Sequence, residues 1–292
     1  MKRRLNYMPL GETIELPRLL TSVRDLDEVL SGGSPQGHSM VVQQERKSEG
    51  KVQERKPKFP FDFLEPLVNE GLPKGSNISL TGPPGVGKTI FCENLAYDFL
   101  RKGGNCLYVT LDKAPDDVKN DLQELRIDLS EKEYKRRLVF VDGFSWLIGK
   151  SKEEYRIESL ANLTELSIRI ASAACDLVDP TLLILDSVSP LSVYNPENVV
   201  VKFLQLLLAR VKDWKGMGVY VVQEGVHSDE FCNTLGYLAD GIFDMKMMEE
   251  RGKITRYFRI RSLKFTSHET KWIPFVIQAE RKFELKHRRG GK

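Results

Sequence analysis

The chain has 292 residues, 41% hydrophobic and 29% charged, with 44 Lys and Arg against 41 Asp and Glu for a formal net charge of +3. That balance is too small to imply a nucleic-acid partner by itself, and no apolar run approaches the roughly 20 residues of a membrane span. The scattered cysteines Cys92, Cys106, Cys175 and Cys232 lack metal or dithiol spacing and read as reduced thiols of a cytoplasmic protein.

In chain order, residues 1–57 read as a flexible or weakly structured segment. Met1-Lys2-Arg3-Arg4 is basic, but Asn6 to Glu15 is not the apolar core of a signal peptide. Gln43 to Lys58 is almost wholly polar and cannot bury enough apolar surface to offset the entropy of ordering. Before it, Gly33-Ser34-Pro35-Gln36-Gly37 echoes Gly71-Leu72-Pro73-Lys74-Gly75. The echo is either a truncated duplicate of a strand approach or a coincidence of two turns.

A compact domain is expected over residues 58–280. Strands are expected at Ile78–Thr81, Asn105–Leu111, Leu138–Asp142, Thr181–Leu185 and Gly218–Gln223, each a short apolar run. Helices are expected at Thr89–Lys102, stopped by Gly103-Gly104, then at Ala114–Leu125, Ile157–Leu177 and Asn198–Lys212. Alternating strands and helices argue for an α/β fold with a mostly parallel central sheet flanked by helices. From Gly241 the rhythm changes. Ile242–Met248, Ile254–Leu263 and Ile273–Ile277 follow one another without helices, giving a C-terminal antiparallel β-hairpin extension turned at Glu249 to Lys253. Residues 281–292 are expected to be a basic C-terminal tail, usually a solvated run and otherwise a docking arm.

Chemistry concentrates in Gly82-Pro83-Pro84-Gly85-Val86-Gly87-Lys88-Thr89, set between the first core strand and the first helix. In that context the G-x-x-x-x-G-K-[ST] pattern is a phosphate loop. Its glycines let backbone N–H groups turn inward, and the helix adds its positive end. Lys88 would reach the β- and γ-phosphates of ATP, and the Thr89 hydroxyl would ligate Mg²⁺. Asp186 ends the run Leu182-Leu183-Ile184-Leu185. In a parallel sheet that end opens on the same crevice, so Asp186 is a candidate for the Mg²⁺ shell, or else it caps the helix that follows. Asp112, at the end of the second strand, is a candidate to orient water, or else it starts the turn before Pro115. Gln223 and Glu224 end the fifth strand, where either could sense the γ-phosphate or be a polar edge residue.

The order of these segments, GPPGVGKT, YVTLDKAPDDV, VFVDGFSW and LLILDSVSPL, resembles the KaiC-like branch of the RecA-like P-loop ATPases, which includes archaeal GvpD and recombinase-paralogue relatives. The resemblance runs from about Phe61 to Ile277 and includes Thr266-Ser267-His268 and Pro274-Phe275-Val276-Ile277. It implies a magnesium-dependent ATPase that works as a homo-oligomer, a ring or filament, in which a basic hairpin residue acts on the neighbouring subunit's nucleotide. Lys264 matches that position, and Ser262 falls where relatives carry a second basic residue. Where the family has adjacent glutamates after the second strand, this chain has Asp112-Lys113. That departure suggests slow hydrolysis, or a regulatory switch that docks a protein partner. The alternative is a recombination or repair accessory binding single-stranded DNA through residues 187–197 and 225–240. Those stretches contain no Lys or Arg, which is poor for neutralising phosphates.

Overall fold

The computed structural model describes residues 58–68, 71–125, 132–178 and 180–286. The expected N-terminal segment and its glycine echo lie outside them. So does the end of the basic tail.

A short antiparallel pair, β1 (Lys58–Phe59) and β2 (Leu72–Pro73), leads into the main sheet. The elements then run β3 (Asn77–Gly82), α1 (Lys88–Arg101), β4 (Asn105–Thr110), α2 (Pro115–Glu124), α3 (Lys132–Arg137), β5 (Leu138–Asp142) and β6 (Tyr155–Arg156). They continue α4 (Leu163–Cys175), β7 (Thr181–Asp186), α5 (Leu191–Tyr194), α6 (Glu197–Asp213), β8 (Met217–Gln223) and α7 (Asp229–Leu238). The chain closes with β9 (Gly241–Glu250), β10 (Lys253–Leu263), β11 (Ile273–Ile277) and β12 (Phe283–Leu285). The sheet order is β12-β11-β10-β9-β3-β8-β7-β4-β5-β6. From β9 to β6 every pairing is parallel, and from β9 outward to β12 every pairing is antiparallel.

Strand alternation divides the core into two layers. Ile78, Leu80, Cys106, Tyr108, Leu182, Ile184, Val219 and Val221 face α1 and α2. Leu107, Val109, Leu183, Leu185, Tyr220 and Val222 face α4 and α6. Successive side chains on a strand point to opposite faces, and both faces are covered, so the runs read as continuously apolar. The first layer is closed by an aromatic cluster. Phe91 of α1 stacks on Phe258 at 5.1 Å and meets Phe63, Phe243 and Phe283 edge-on at 5.4, 6.2 and 5.3 Å.

Three expectations change. The helix expected from Ile157 begins at Leu163, because the Asn162 side chain caps it by accepting from Glu165 N at 3.0 Å. Residues 225–240, where no helix was expected, contain α7, capped by Ser228 accepting from Phe231 N and anchored by buried Phe231 and Leu235. The tail expected from residue 281 is ordered through Lys286. Arg281 pairs with a buried carboxyl group, and Phe283–Leu285 adds a strand to β11. A phenylalanine and a leucine on the inward face of that strand outweighed the run of basic residues around them.

Candidate nucleotide site

Parallel registers set four strand ends side by side. Gly82 of β3 pairs with Gln223 of β8, and Thr110 of β4 pairs with Asp186 of β7. With one strand between, the phosphate loop and Asp186 open on a single crevice at the carboxyl end of the sheet.

The loop is built for backbone donors. Gly85 and Gly87 hold φ of 74° and 109°, a region that favours glycine. At Gly87 a Cβ would also lie 2.9 Å from Cδ1 of Ile277 on β11, whose side chain would have to shift. Val86 is buried beneath the loop, while Pro84 and Gly85 face outward. Lys88 folds back across it, donating from Nζ to Gly82 O at 2.7 Å and Pro83 O at 2.8 Å. An ammonium has three donors, so one remains to point at a ligand. Burial pulls the Lys88 ammonium below its ordinary range, and the nearby Asp186 and Asp112 carboxylates pull it back.

Asp186 is buried, which raises its carboxyl pKa, and hydrogen bonds from Tyr108 and Thr89 oppose that rise. The Tyr108 hydroxyl donates to Oδ2 at 2.9 Å. Tyr108 was not visible as a site residue in the sequence. Its signal was a tyrosine inside an otherwise apolar strand, two residues before the crevice-facing end. The strand-end Asp142 of β5 has another fate: its oxygens accept from Phe144 N, Ser145 N and Ser151 Oγ and cap the following turn.

Asp112 is exposed just beyond β4, and its charge acts on both Lys88 and Asp186. Gln223 lies beside Gly82. Its backbone N–H donates to Ser189 Oγ at 3.0 Å, and its buried side-chain Nε2 has no hydrogen-bond partner among the described residues. Glu224 donates its N–H to Gly82 O at 3.1 Å and adds negative charge near Lys88. The residues present therefore fit a magnesium nucleotide: an inward-turned loop, a part-satisfied ammonium, a hydroxyl–carboxylate pair and an orphaned amide donor.

Lys264 is not at this site. Its Nζ donates to Ala239 O at 2.8 Å and lies 3.9 Å from Asp240 Oδ1. Asp240 in turn accepts from Asn77 N at the start of β3, the strand end opposite the phosphate loop. Within one chain, Lys264 cannot reach its own crevice.

Lys113 turns away from the crevice and onto Glu93 of α1. Burial pushes the Glu93 carboxyl up to about 7, against the pull of Lys113 and Arg281. A carboxyl raised on folding contributes stability that is whole below its unfolded value of 4.5 and is lost as pH rises through about 7. The melting temperature of Glu93→Gln should accordingly fall less than the parent's between about pH 5 and about pH 8. Scanning calorimetry across that range checks it, and parallel curves would refute it.

Strand, glycine loop and helix, with an acidic strand end next but one in the sheet, define a P-loop ATPase of the RecA-like class. Within that class, the sequence profile of the KaiC ATPase family matches residues 61–285, and the chain belongs to that family. It is 28% identical to a UPF0273 protein of Pyrococcus horikoshii over 227 residues, covering 76% of this chain and 91% of the relative. A UPF0273 protein of Methanopyrus kandleri is also 28% identical, over 74% of this chain and 86% of its own length. The crystal structure of a KaiC-like protein from Pyrococcus horikoshii superimposes with a TM-score of 0.61 at 19% identity, over 80% of this chain and 98% of that one. That likeness carries the fold. No helix among the described residues is long and apolar enough to cross a membrane.

Proposed function

We propose that this ATPase is a slow, magnesium-dependent enzyme that works as a regulatory switch, changing assembly or partner docking with its nucleotide state. Asp112 carries the hydrolytic reading. It is exposed at the mouth of the crevice, beside the loop lysine and the buried Asp186. Lys88 and the loop amides would bind the phosphates, and Thr89 and Asp186 would hold magnesium. Magnesium, when bound, neutralises phosphate charge. Asp112 would orient water by accepting its proton, and the Gln223 amide would donate to the terminal phosphate. Lys264, held at the far end of its own sheet, would act on a neighbouring subunit. The lone aspartate in place of paired glutamates supports slow turnover.

The switch reading rests on a hydrogen-bonded path leading from the crevice to an apolar surface. The Gln223 N–H is tied to Ser189, Ser189 Oγ lies 2.9 Å from His227 Nε2, and His227 Nδ1 lies 3.3 Å from both Ser192 Oγ and Glu197 Oε1. These contacts fix α5, which exposes Val193 and Tyr194. Tyr194 meets Trp146 at 5.6 Å, next to exposed Leu147 and Ile148. Clustered exposed apolar side chains mark interaction sites. No comparable basic surface lines residues 187–197 or 225–240, and α7 begins with Asp229 and Glu230, which disfavours the DNA-binding alternative.

Phosphate release measured against protein concentration tests the reading. Asp112→Asn should lower turnover by about 10²-fold or more while retaining ATP affinity. Specific activity should rise with concentration, and that rise should vanish in Lys264→Ala. Full activity of Asp112→Asn would remove the assignment, and normal activity of dilute Lys264→Ala would remove the trans-acting role.

A further inference from the structure

We propose that Lys113 and Arg281 are positioning residues of the hydrolytic site, acting through the buried carboxyl group of Glu93 so that the C-terminal segment holds the Asp112 turn against the phosphate-loop helix. The inference rests on the reading of Asp112 given above and concerns residues that act through Glu93.

Glu93 lies one turn beyond Thr89 on α1, and its side chain is 0% exposed. A buried carboxylate needs charge and hydrogen-bond partners, and both of its cations come from outside its helix. Lys113 Nζ donates to Oε1 at 3.0 Å, and Arg281 donates to Oε2 from Nε at 3.1 Å and from a terminal nitrogen at 2.8 Å. Asp121 of α2 closes the ring, accepting from Lys113 and lying 3.1 Å from Arg281. The cluster pairs two carboxyl groups with two cations and so balances itself.

Each cation belongs to a segment with a task. Lys113 follows Asp112 directly, and its carbonyl accepts from Thr110 Oγ1 at 2.6 Å. The Asp112 turn is thus pinned at both ends, by Thr110 at the strand and by the Lys113 ammonium on α1. A glutamate at position 113 would instead set a second negative charge against Glu93. Arg281 stands in the link between β11 and β12. Asn94, the neighbour of Glu93, donates to Arg281 O at 3.0 Å and accepts from Phe283 N at 3.1 Å. Glu280 and Arg281 hold φ of 59° and 56°, a left-handed pair that side-chain-bearing residues seldom adopt. That backbone turns the Arg281 guanidinium inward onto α1. Losing either cation leaves the buried carboxyl group unbalanced and loosens one end of the connection.

The test uses the full chain at about pH 8, with Lys113→Ala, Arg281→Ala and Lys113→Arg beside the parent. Turnover is read from phosphate release, affinity from a fluorescent ATP analogue, and backbone opening from amide hydrogen exchange. Both alanine variants should lower kcat by on the order of ten- to a hundredfold, as misplacement of a reacting group does, with affinity held within about twofold. Lys113→Arg should recover most of the loss. Arg281→Ala should also raise exchange across residues 110–117, far from it in sequence. Unchanged kcat in both alanine variants, or parental exchange across 110–117 in Arg281→Ala, would overturn the proposal. If Arg281→Ala does not fold, Arg281→Lys, which keeps the charge and loses the two-pronged contact, carries the same comparison. Parental turnover no higher than that of Lys88→Ala would defeat the hydrolytic reading alone, and the exchange measurement would still decide the coupling.

Discussion

Lys88→Ala should lose ATP affinity by about tenfold to a hundredfold and lose measurable turnover, while the fold survives. A hydrogen bond to a charged group is worth about 1.5–3 kcal/mol, and Lys88 supplies the positive charge nearest the loop's backbone donors. Its ammonium also bridges the carbonyls of Gly82 and Pro83, so removing it both discards the phosphate contact and slackens the loop that makes the remaining ones. The fold should survive, because neither the parallel pairings of β3 nor the helix α1 depends on those two contacts. Calorimetric titration with a slowly hydrolysed ATP analogue, alongside circular dichroism, separates the two effects. Parental affinity in a folded Lys88→Ala protein would show that the loop binds something other than nucleotide phosphates.

Phe91→Ala should destabilise the domain by about 3–5 kcal/mol, the usual cost of emptying a fully enclosed aromatic site. Phe91 is 0% exposed, and its ring touches aromatic rings from the N-terminal lead-in, β9, β10 and β12. A void there cannot collapse easily, since each neighbour is held by its own strand or turn. Phe91 also stands two residues past Thr89, so the same substitution should weaken nucleotide binding through tilt of α1. Urea unfolding followed by tryptophan fluorescence measures the first effect. A loss below about 1 kcal/mol would mean that the antiparallel extension is fastened by its strand pairing and not by these rings.

The site was legible where chemistry and period coincide. Gly82 to Thr89 announces itself by residue type, and Asp186 by ending an apolar run, so both lines of the crevice are written in the sequence. Gln223 and Asp112 were singled out as candidates the same way, as polar residues at the ends of buried strands. What stayed hidden depends on contacts between segments distant in sequence. Nothing near Glu93 marks it as buried, because its cations come from residues 113 and 281. Tyr108 looked like strand filling until its hydroxyl met Asp186. The helix at Asp229–Leu238 was overlooked because its apolar face is thin, with Phe231 and Leu235 carrying the burial. The strand at Phe283–Leu285 was overlooked because it is short and flanked by charge.

The strand that carries the phosphate loop has a further bearing on how the protein is made. β3 is among the first strands to be synthesised, yet both of its neighbours come late: Asn77 pairs with Gly218, and Ile78 pairs with Gly241. Contacts of such wide sequence separation form slowly and only after the intervening chain has been delivered. During translation the glycine loop must therefore wait, unflanked, while most of the domain leaves the ribosome. Nucleotide capture becomes a late event in the life of a nascent chain, and a truncated product ending before Met217 should have no working loop at all.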